Sequence, residues 1–589
     1  MGPCRQAFDV HRGYWPAVWL AVLASWGSPG VWAQANPSRF TEVNAGSLRQ
    51  QIEREQTFKL PKISAPAETE KRPLKEQTTK GPKIAVKQFV FKGNTLLSND
   101  KLEDAVASYQ GESLSFSQLE EAVTEVAQAY RNAGWTVRAY LPEQDIVDGL
   151  VTVNIVEAVF GKVSIEGTLP KRLDQARLIQ IILSEQTTGT FLRASAVDRA
   201  LLIADDISGV AVTGGLQEGQ QDGETDVVLK ALEKPSTETN VSHDNTGSES
   251  TGVERTSLGF TGNSWFLPGD VFSTQLVSSA GTQYVRLSES IPIGYTGLRV
   301  GVNVSDMSYR VLSLGADGFP VTGLSESFGL ESSYPLVRSR LSNLYVNLAV
   351  DNKIFRNYSA TKRNQDYSIR STALGMSGNL FDTFGGGGFN NASLTLTHGT
   401  VNQDGSSTFV ENPESFPEGK VGFYRKMRYA LSRQQTLTDQ LAFYLALSGQ
   451  SALSDLDSSE KFYLGGSSGV RAYPGSEGGG VKGHMANVEL RWQVASGYSA
   501  TAFYDFGQVL ADPLLHTRVN QEVVNEYSLK GGGLSFSRQF DGGLTFKVTW
   551  ARRSEDNPNP RTDTTTLQVK DQSGALVRDR VWLSLSASF

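Results

Sequence analysis

Beyond Pro235 the chain alternates apolar and polar side chains with a period of two. Across residues 298–305, Leu298, Val300, Val302 and Val304 oppose Arg299, Gly301, Asn303 and Ser305. Across 487–494, Val488, Leu490, Trp492 and Val494 oppose Asn487, Glu489, Arg491 and Gln493. Segments 344–351 and 544–551 repeat the pattern. Successive side chains of a strand point to opposite faces of its sheet. One apolar and one polar face per strand fits a soluble β-sandwich or a membrane barrel with lipid outside and water inside. Connection lengths decide for the barrel. With two exceptions near the start, short turns, near Ile293, Pro335, Thr436, Gly497 and Asp541, alternate with long loops at 306–321, 353–365, 400–419, 451–483, 508–528 and 553–579. Outer-membrane barrels join their strands in this way, with short periplasmic turns and long external loops. The pattern predicts an antiparallel transmembrane β-barrel of about 16 strands over 236–589. It closes on Val581 to Phe589, where odd positions are apolar.

The N-terminal part differs. Arg5, His11 and Arg12 precede a short apolar run from Trp15 to Ser25, and Val31-Trp32-Ala33 resembles a cleavage site, so 1–33 reads as a signal peptide. Residues 34–57 hold a polar helix whose apolar positions, Leu48 and Ile52, are too few to dock on a core; it suits a wet environment. Residues 58–83 form a linker rich in Pro, Lys, Glu and Thr. Two units of order β-α-α-β-β follow, at 84–157 and 158–235, and their recurrence marks an internal repeat. In the first, Ser117 and Glu120 fit a capping box and Gly134 a helix end. Val151, Val153 and Ile155 are expected near an exposed sheet edge, although their alternation by itself favours a core position.

Other chemistry finds little support. A net charge of -7 argues against nucleic acid, and Cys4, the single cysteine, permits neither a disulfide nor a cysteine metal site. The five histidines are isolated, and glycine-rich 475–483 lacks the ending of a phosphate-binding loop. The expectation is a non-enzyme with no cofactor and no metal.

The stretch 462–483 stands out, because its glycines frame Val470-Arg471-Ala472-Tyr473. On the strand beginning at Tyr498, parity turns Phe503, Asp505 and Gly507 toward the lumen; Glu489 and Arg491 face inward by the same rule. An arginine inside a barrel is costly unless paired, so Arg471 and Asp505 are candidate partners. The bland alternative leaves Asp505 as one lumen carboxylate among many and Arg471 exposed.

These residues resemble the hallmarks of the outer-membrane transporters of two-partner secretion, within the Omp85 superfamily. That family carries Val-Arg-Gly-Tyr/Phe on its sixth external loop and Phe-x-Asp-x-Gly on a barrel strand. Val470, Arg471 and Tyr473 match the first, with Ala472 in place of glycine; Phe503, Asp505 and Gly507 match the second. The resemblance covers nearly the whole chain after the leader. It implies that Arg471 and Asp505 act as a conformational lock, that the two repeats are POTRA domains in the periplasm, and that 34–57 is a plug helix. It further implies ATP-independent export of a large, adhesin- or haemolysin-like β-helical partner, received unfolded by the POTRA domains. Other implied partners are outer-membrane lipid and a barrel-assembly machinery that reads the C-terminal strand ending at Phe589. The alternatives are an Omp85-type insertase, which usually carries more POTRA domains and no plug helix, and a passive porin-like barrel.

Overall fold

A computed structural model of the protein describes residues 44–54, 83–314, 320–359, 362–403, 421–511, 524–562, 569–571 and 576–589. The leader expected at 1–33 and the linker as far as residue 82 lie outside the described residues.

The two α/β units share one sheet order. In the first, Leu150–Glu157 is central, parallel to Gln88–Lys92 and antiparallel to Val137–Tyr140. In the second, Glu224–Glu233 is central, parallel to Val159–Ile165 and antiparallel to Val210–Glu218. Val151, Val153 and Ile155 therefore lie in the core of a central strand and not near an edge. A strand paired on both sides turns its alternate apolar residues into the core. The helix Phe116–Asn132 is capped by Ser115 with Gln118, two residues before the expected pair, and Gly134 at φ +89° ends the turn that follows it.

Glu157 ties the first unit together. Its carboxylate accepts from the backbone N–H of Thr95 (2.7 Å) and Leu96 (2.8 Å), the Tyr130 hydroxyl (2.8 Å) and the Thr95 hydroxyl. Burial pushes its pKa up, but these donors outweigh burial and hold it below the ordinary carboxylate value. A depressed folded pKa contributes stability above the unfolded value, and that stability is lost as pH falls through the folded pKa. Glu157→Gln should cost the unit about 1–3 kcal/mol at neutral pH. Hydrogen exchange of the Leu150–Glu157 amides in the full-length protein would read this as lost protection, with the difference from wild type shrinking below about pH 4.

Sixteen strands between Thr237–Asp244 and Asp579–Ser588 form a closed antiparallel barrel. The last strand closes on the first through Ser584–Asp244 to Ser588–Asn240. Val300, Val302, Val304, Val488, Leu490, Trp492 and Val494 are all exposed on the outer wall, as their alternation requires. Two expected long loops are instead strand. Leu298–Leu314 runs on to 314 and Pro320–Arg338 begins at 320, while only residues 360–361 separate Ser342–Ser359 from Lys362–Asp382. These strands have 17 to 21 residues, whereas about 10 suffice to cross the apolar band. They rise above the membrane as a paired wall whose polar alternation is hard to tell from loop. Pro335 lies within a strand, at a register shift, and the turn follows at residues 339–341.

The second α/β unit is fastened to the short-turn end of the barrel. Arg338 holds Asp206 through two contacts of 2.8 Å, and Arg199 donates to the Pro335 carbonyl at 2.9 Å. A cavity of about 690 Å³ lies between this unit and the lumen, bordered by Arg177, Tyr295, Arg299 and Tyr345.

Candidate functional site

The helix Ala45–Arg54 lies within the barrel. Its small apolar face is enough: Ala45, Leu48 and Ile52 pack against Tyr309, Phe355 and Tyr367 on the inner wall. The expectation that this face is too small to dock fails because the lumen itself supplies aromatic rings. Polar contacts complete the fit. Arg49 donates to Ser325 (3.2 Å) and Ser327 (2.6 Å) and pairs with Glu53 at 2.7 Å.

Residues 453–481 join the eleventh strand, Leu441–Ala452, to the twelfth, Lys482–Ala495, and fold into the same space. Helix and loop touch along their length. The Ser458 hydroxyl donates to Asn44 Oδ1 (2.7 Å), Gln50 Nε2 to the Lys461 carbonyl (3.3 Å) and Arg54 Nη1 to the Tyr463 carbonyl (2.7 Å). Glu460 in the loop binds Lys353 at 3.0 Å and also Lys426, on two different strands.

Farther along the loop, Arg471 meets the thirteenth strand, Tyr498–Leu510. Its Nε donates to Asp505 Oδ2 at 2.9 Å and its Nη2 to Oδ1 at 2.8 Å, while its own backbone N–H adds a third bond at 3.0 Å. The two-point fork suits a guanidinium and a carboxylate. Nη1 pairs with Glu489 at 2.8 Å, and Arg491 holds the other Glu489 oxygen at 2.7 Å. The Phe503 ring lies under the Arg471 guanidinium, its centroid 3.5 Å away, a cation–π arrangement. Arg471 is 7% exposed and Asp505 fully buried. Gly507 leaves room for Leu464, whose Cδ2 would stand 2.8 Å from an added Cβ. Val470 and Tyr473 are buried beside Leu529 and Ala551.

Ala472 fits for two reasons. Its backbone is outside the left-handed region that would require glycine; that conformation falls at Gly466, with φ +105°. Its methyl faces Gly531, where an added Cβ would come within 2.6 Å of it. Gly531→Ala should therefore reduce export strongly, and Ala472→Gly on that background should restore part of it. Restoration stays partial because the Arg552 carbonyl is 2.9 Å from the same position. Comparison of secreted protein from the two variants checks this.

Several site residues escaped the sequence reading. Asn487 donates to Asp505 at 2.8 Å and to the Gly469 carbonyl at 3.1 Å. Trp582 Nε1 donates to the Arg471 carbonyl at 2.8 Å, and Arg553 donates to the Ala472 carbonyl at 3.2 Å while stacking on Tyr473. Strand parity carried a signal, since Trp582 and Arg553 occupy the inward positions of their strands. A polar cavity of about 620 Å³ opens beside Arg471, bordered by Glu489, Arg491, Gln434 and Lys547.

Comparison with known proteins agrees with this architecture. Residues 223–514 match the haemolysin secretion/activation protein family ShlB/FhaC/HecB, and 84–158 match the ShlB-type POTRA domain. The heme/hemopexin transporter protein HuxB of Haemophilus influenzae is 25% identical over 92% of this chain and 96% of its own. The outer membrane transporter CdiB of Escherichia coli is 25% identical over 74% of this chain and 73% of its own. The solved structure of CdiB from Escherichia coli superposes with a TM-score of 0.65 at 20% identity, covering 92% of this chain and 95% of that one. BamA from Haemophilus ducreyi lacking POTRA domains 1-3 shares the fold at a TM-score of 0.50 and 14% identity, over 86% of this chain and 100% of that one. With its POTRA domains on the periplasmic side of an outer-membrane barrel, the chain belongs to the ShlB/FhaC/HecB family of two-partner secretion transporters.

Proposed function

We propose that this transporter exports a large, adhesin- or haemolysin-like β-helical exoprotein, received unfolded by POTRA domains assigned to 84–157 and 158–235. The observation that carries the reading is a barrel whose lumen holds two internal elements at once, the helix Ala45–Arg54 and the loop with Arg471. A passive pore has no need of removable obstructions joined to periplasmic domains. In this reading 236–589 is the channel, 462–483 its inward-folded loop, and the Arg471–Asp505 pair a lock on the loop's position. Val470, Ala472 and Tyr473 shape the loop, while Phe503, Gly507, Glu489 and Arg491 receive it. The helix gives way when the substrate arrives. A linker of the length 58–83 permits this, spanning roughly 80 Å if extended in polyproline form.

Translocation draws on folding of the partner outside the cell, and no catalytic step is assigned to the chain. Outer-membrane lipid surrounds the apolar wall, and the barrel-assembly machinery reads the last strand, ending at Phe589. The test is release of the partner exoprotein to the cell surface or medium, with and without this chain. Dependence on the chain is expected, and release without it sinks the reading. The shared fold of BamA keeps an insertase as the second reading. It predicts lost assembly of unrelated barrels when the chain is removed.

A further inference from the structure

The outer wall holds an unassigned cationic patch directly above its apolar band. On the eighth, ninth and tenth strands, Leu374, Leu396 and Met427 lie side by side in register and face outward. One outward row closer to the external loops stand Thr372, His398 and Arg425, also in register. The next row holds Arg370, Thr400 and Phe423. Arg370, His398 and Arg425 are exposed. Phe423 is 76% exposed and stacks on His398 with ring centroids 5.7 Å apart.

Several other outward cations near this rim have carboxylate partners, although Arg310 on Leu298–Leu314 has none among the described residues. Arg356 pairs with Glu326 at 2.8 Å, Lys530 with Glu555 at 3.1 Å and Arg552 with Asp579 at 3.7 Å. Arg370 and Arg425 have none among the described residues. Two uncompensated guanidinium groups, two strands apart with an imidazole on the strand between them, invite an anion. Their height on the wall decides which anion: the apolar row below them lies at acyl-chain level, so the groups stand where headgroup phosphates begin.

We infer that Arg370, His398 and Arg425 bind the phosphate of a lipid A-type glycolipid in the outer leaflet, with Thr372 and Thr400 as hydroxyl donors and Phe423 against the sugar. The inference rests on the outer-membrane location of the chain. Guanidinium groups suit phosphate because they can donate two parallel hydrogen bonds. The continuous apolar band below accommodates the acyl chains, which a free phosphate would not use.

The test is native mass spectrometry of the full-length protein in detergent, titrated with bis-phosphorylated lipid A, dephosphorylated lipid A or phosphatidylglycerol. Wild type should retain bis-phosphorylated lipid A in preference to both others. The double variant Arg370→Gln/Arg425→Gln should lose about tenfold or more of that retention, the loss expected when charge-assisted bonds to phosphate are removed. Arg552→Gln, at a paired position, should behave as wild type. Mobility of unboiled and boiled samples on a gel confirms that each barrel is folded. Failure of the double variant to fold moves the comparison to Arg370→Gln and Arg425→Gln singly, each expected to lose part of the retention. Equal retention by variant and wild type overturns the site. Equal retention of dephosphorylated lipid A or phosphatidylglycerol by wild type overturns the ligand. Fractionation of the wild type away from the outer membrane would instead overturn the location on which the inference rests.

Discussion

Arg471→Ala should abolish export while leaving a folded barrel in the outer membrane. The substitution strands Asp505, which is fully buried and loses both guanidinium bonds, keeping one from Asn487 and one from the backbone N–H of residue 471. The Arg471 backbone N–H can persist only if the loop stays in place. Breaking one side of a buried ion pair costs about 3–5 kcal/mol. Every 1.4 kcal/mol is roughly tenfold in an equilibrium, so the inward position of the loop should weaken by about a hundredfold or more. Glu489 keeps Arg491 at 2.7 Å and is not orphaned. The barrel ladder does not depend on the pair, so unboiled samples should still run as folded protein. Asp505→Asn should act in the same direction but less severely, because the amide oxygen still accepts. The Arg471→Ala/Asp505→Ala double variant should regain stability, since no charge is left unpaired, and should still fail to export. Wild-type export by Arg471→Ala would remove the loop from the mechanism.

Deleting residues 36–57 should raise the single-channel conductance in planar bilayers several-fold and make it steady. An α-helix with its side chains is about 10–12 Å across, a large share of a lumen that also holds the loop. The deletion vacates the space lined by Tyr309, Phe355 and Tyr367 and leaves Arg471 bonded to Asp505. Arg49→Ala should give a smaller, flickering increase. It removes the bonds to Ser325 and Ser327 and the pairing with Glu53 while keeping the apolar contacts. An unchanged conductance in the deletion would show that the helix does not obstruct the pore.

Much of this architecture was legible in the residues. Alternation marks a membrane barrel because lipid and water impose opposite demands on neighbouring side chains of one strand. The repeated β-α-α-β-β order marked two similar units, because helix and strand periods differ. Parity alone turned Asp505, Glu489 and Arg491 inward, without any knowledge of the fold. Parity failed where a strand continues above the membrane, as in Leu298–Leu314 and Ser342–Ser359, because its outer face is then free to be polar while its inner face carries apolar residues such as Tyr309 and Phe355 that pack against the helix. Parity did favour a core for Val151, Val153 and Ile155, where they lie; the expected nearness to an edge failed, because strand order within a sheet leaves no local trace in sequence.

The sequence by itself determined which faces of the strands meet lipid and which residue types the inward loop carries. Only the tertiary structure decided what fills the lumen. The polar helix Ala45–Arg54 finds its apolar partners on strands more than 250 residues away, among them Tyr309 and Phe355. Ala472 is accommodated because Gly531, on another strand, leaves space for its methyl. Arg471 is held from three sides, by Asp505, Glu489 and Trp582, which barrel closure brings around a single guanidinium and its backbone. Side-chain periodicity is a local property of the chain. Closing sixteen strands into a ring is not, and the Arg471–Asp505 pair exists only where that closure brings loop and wall together.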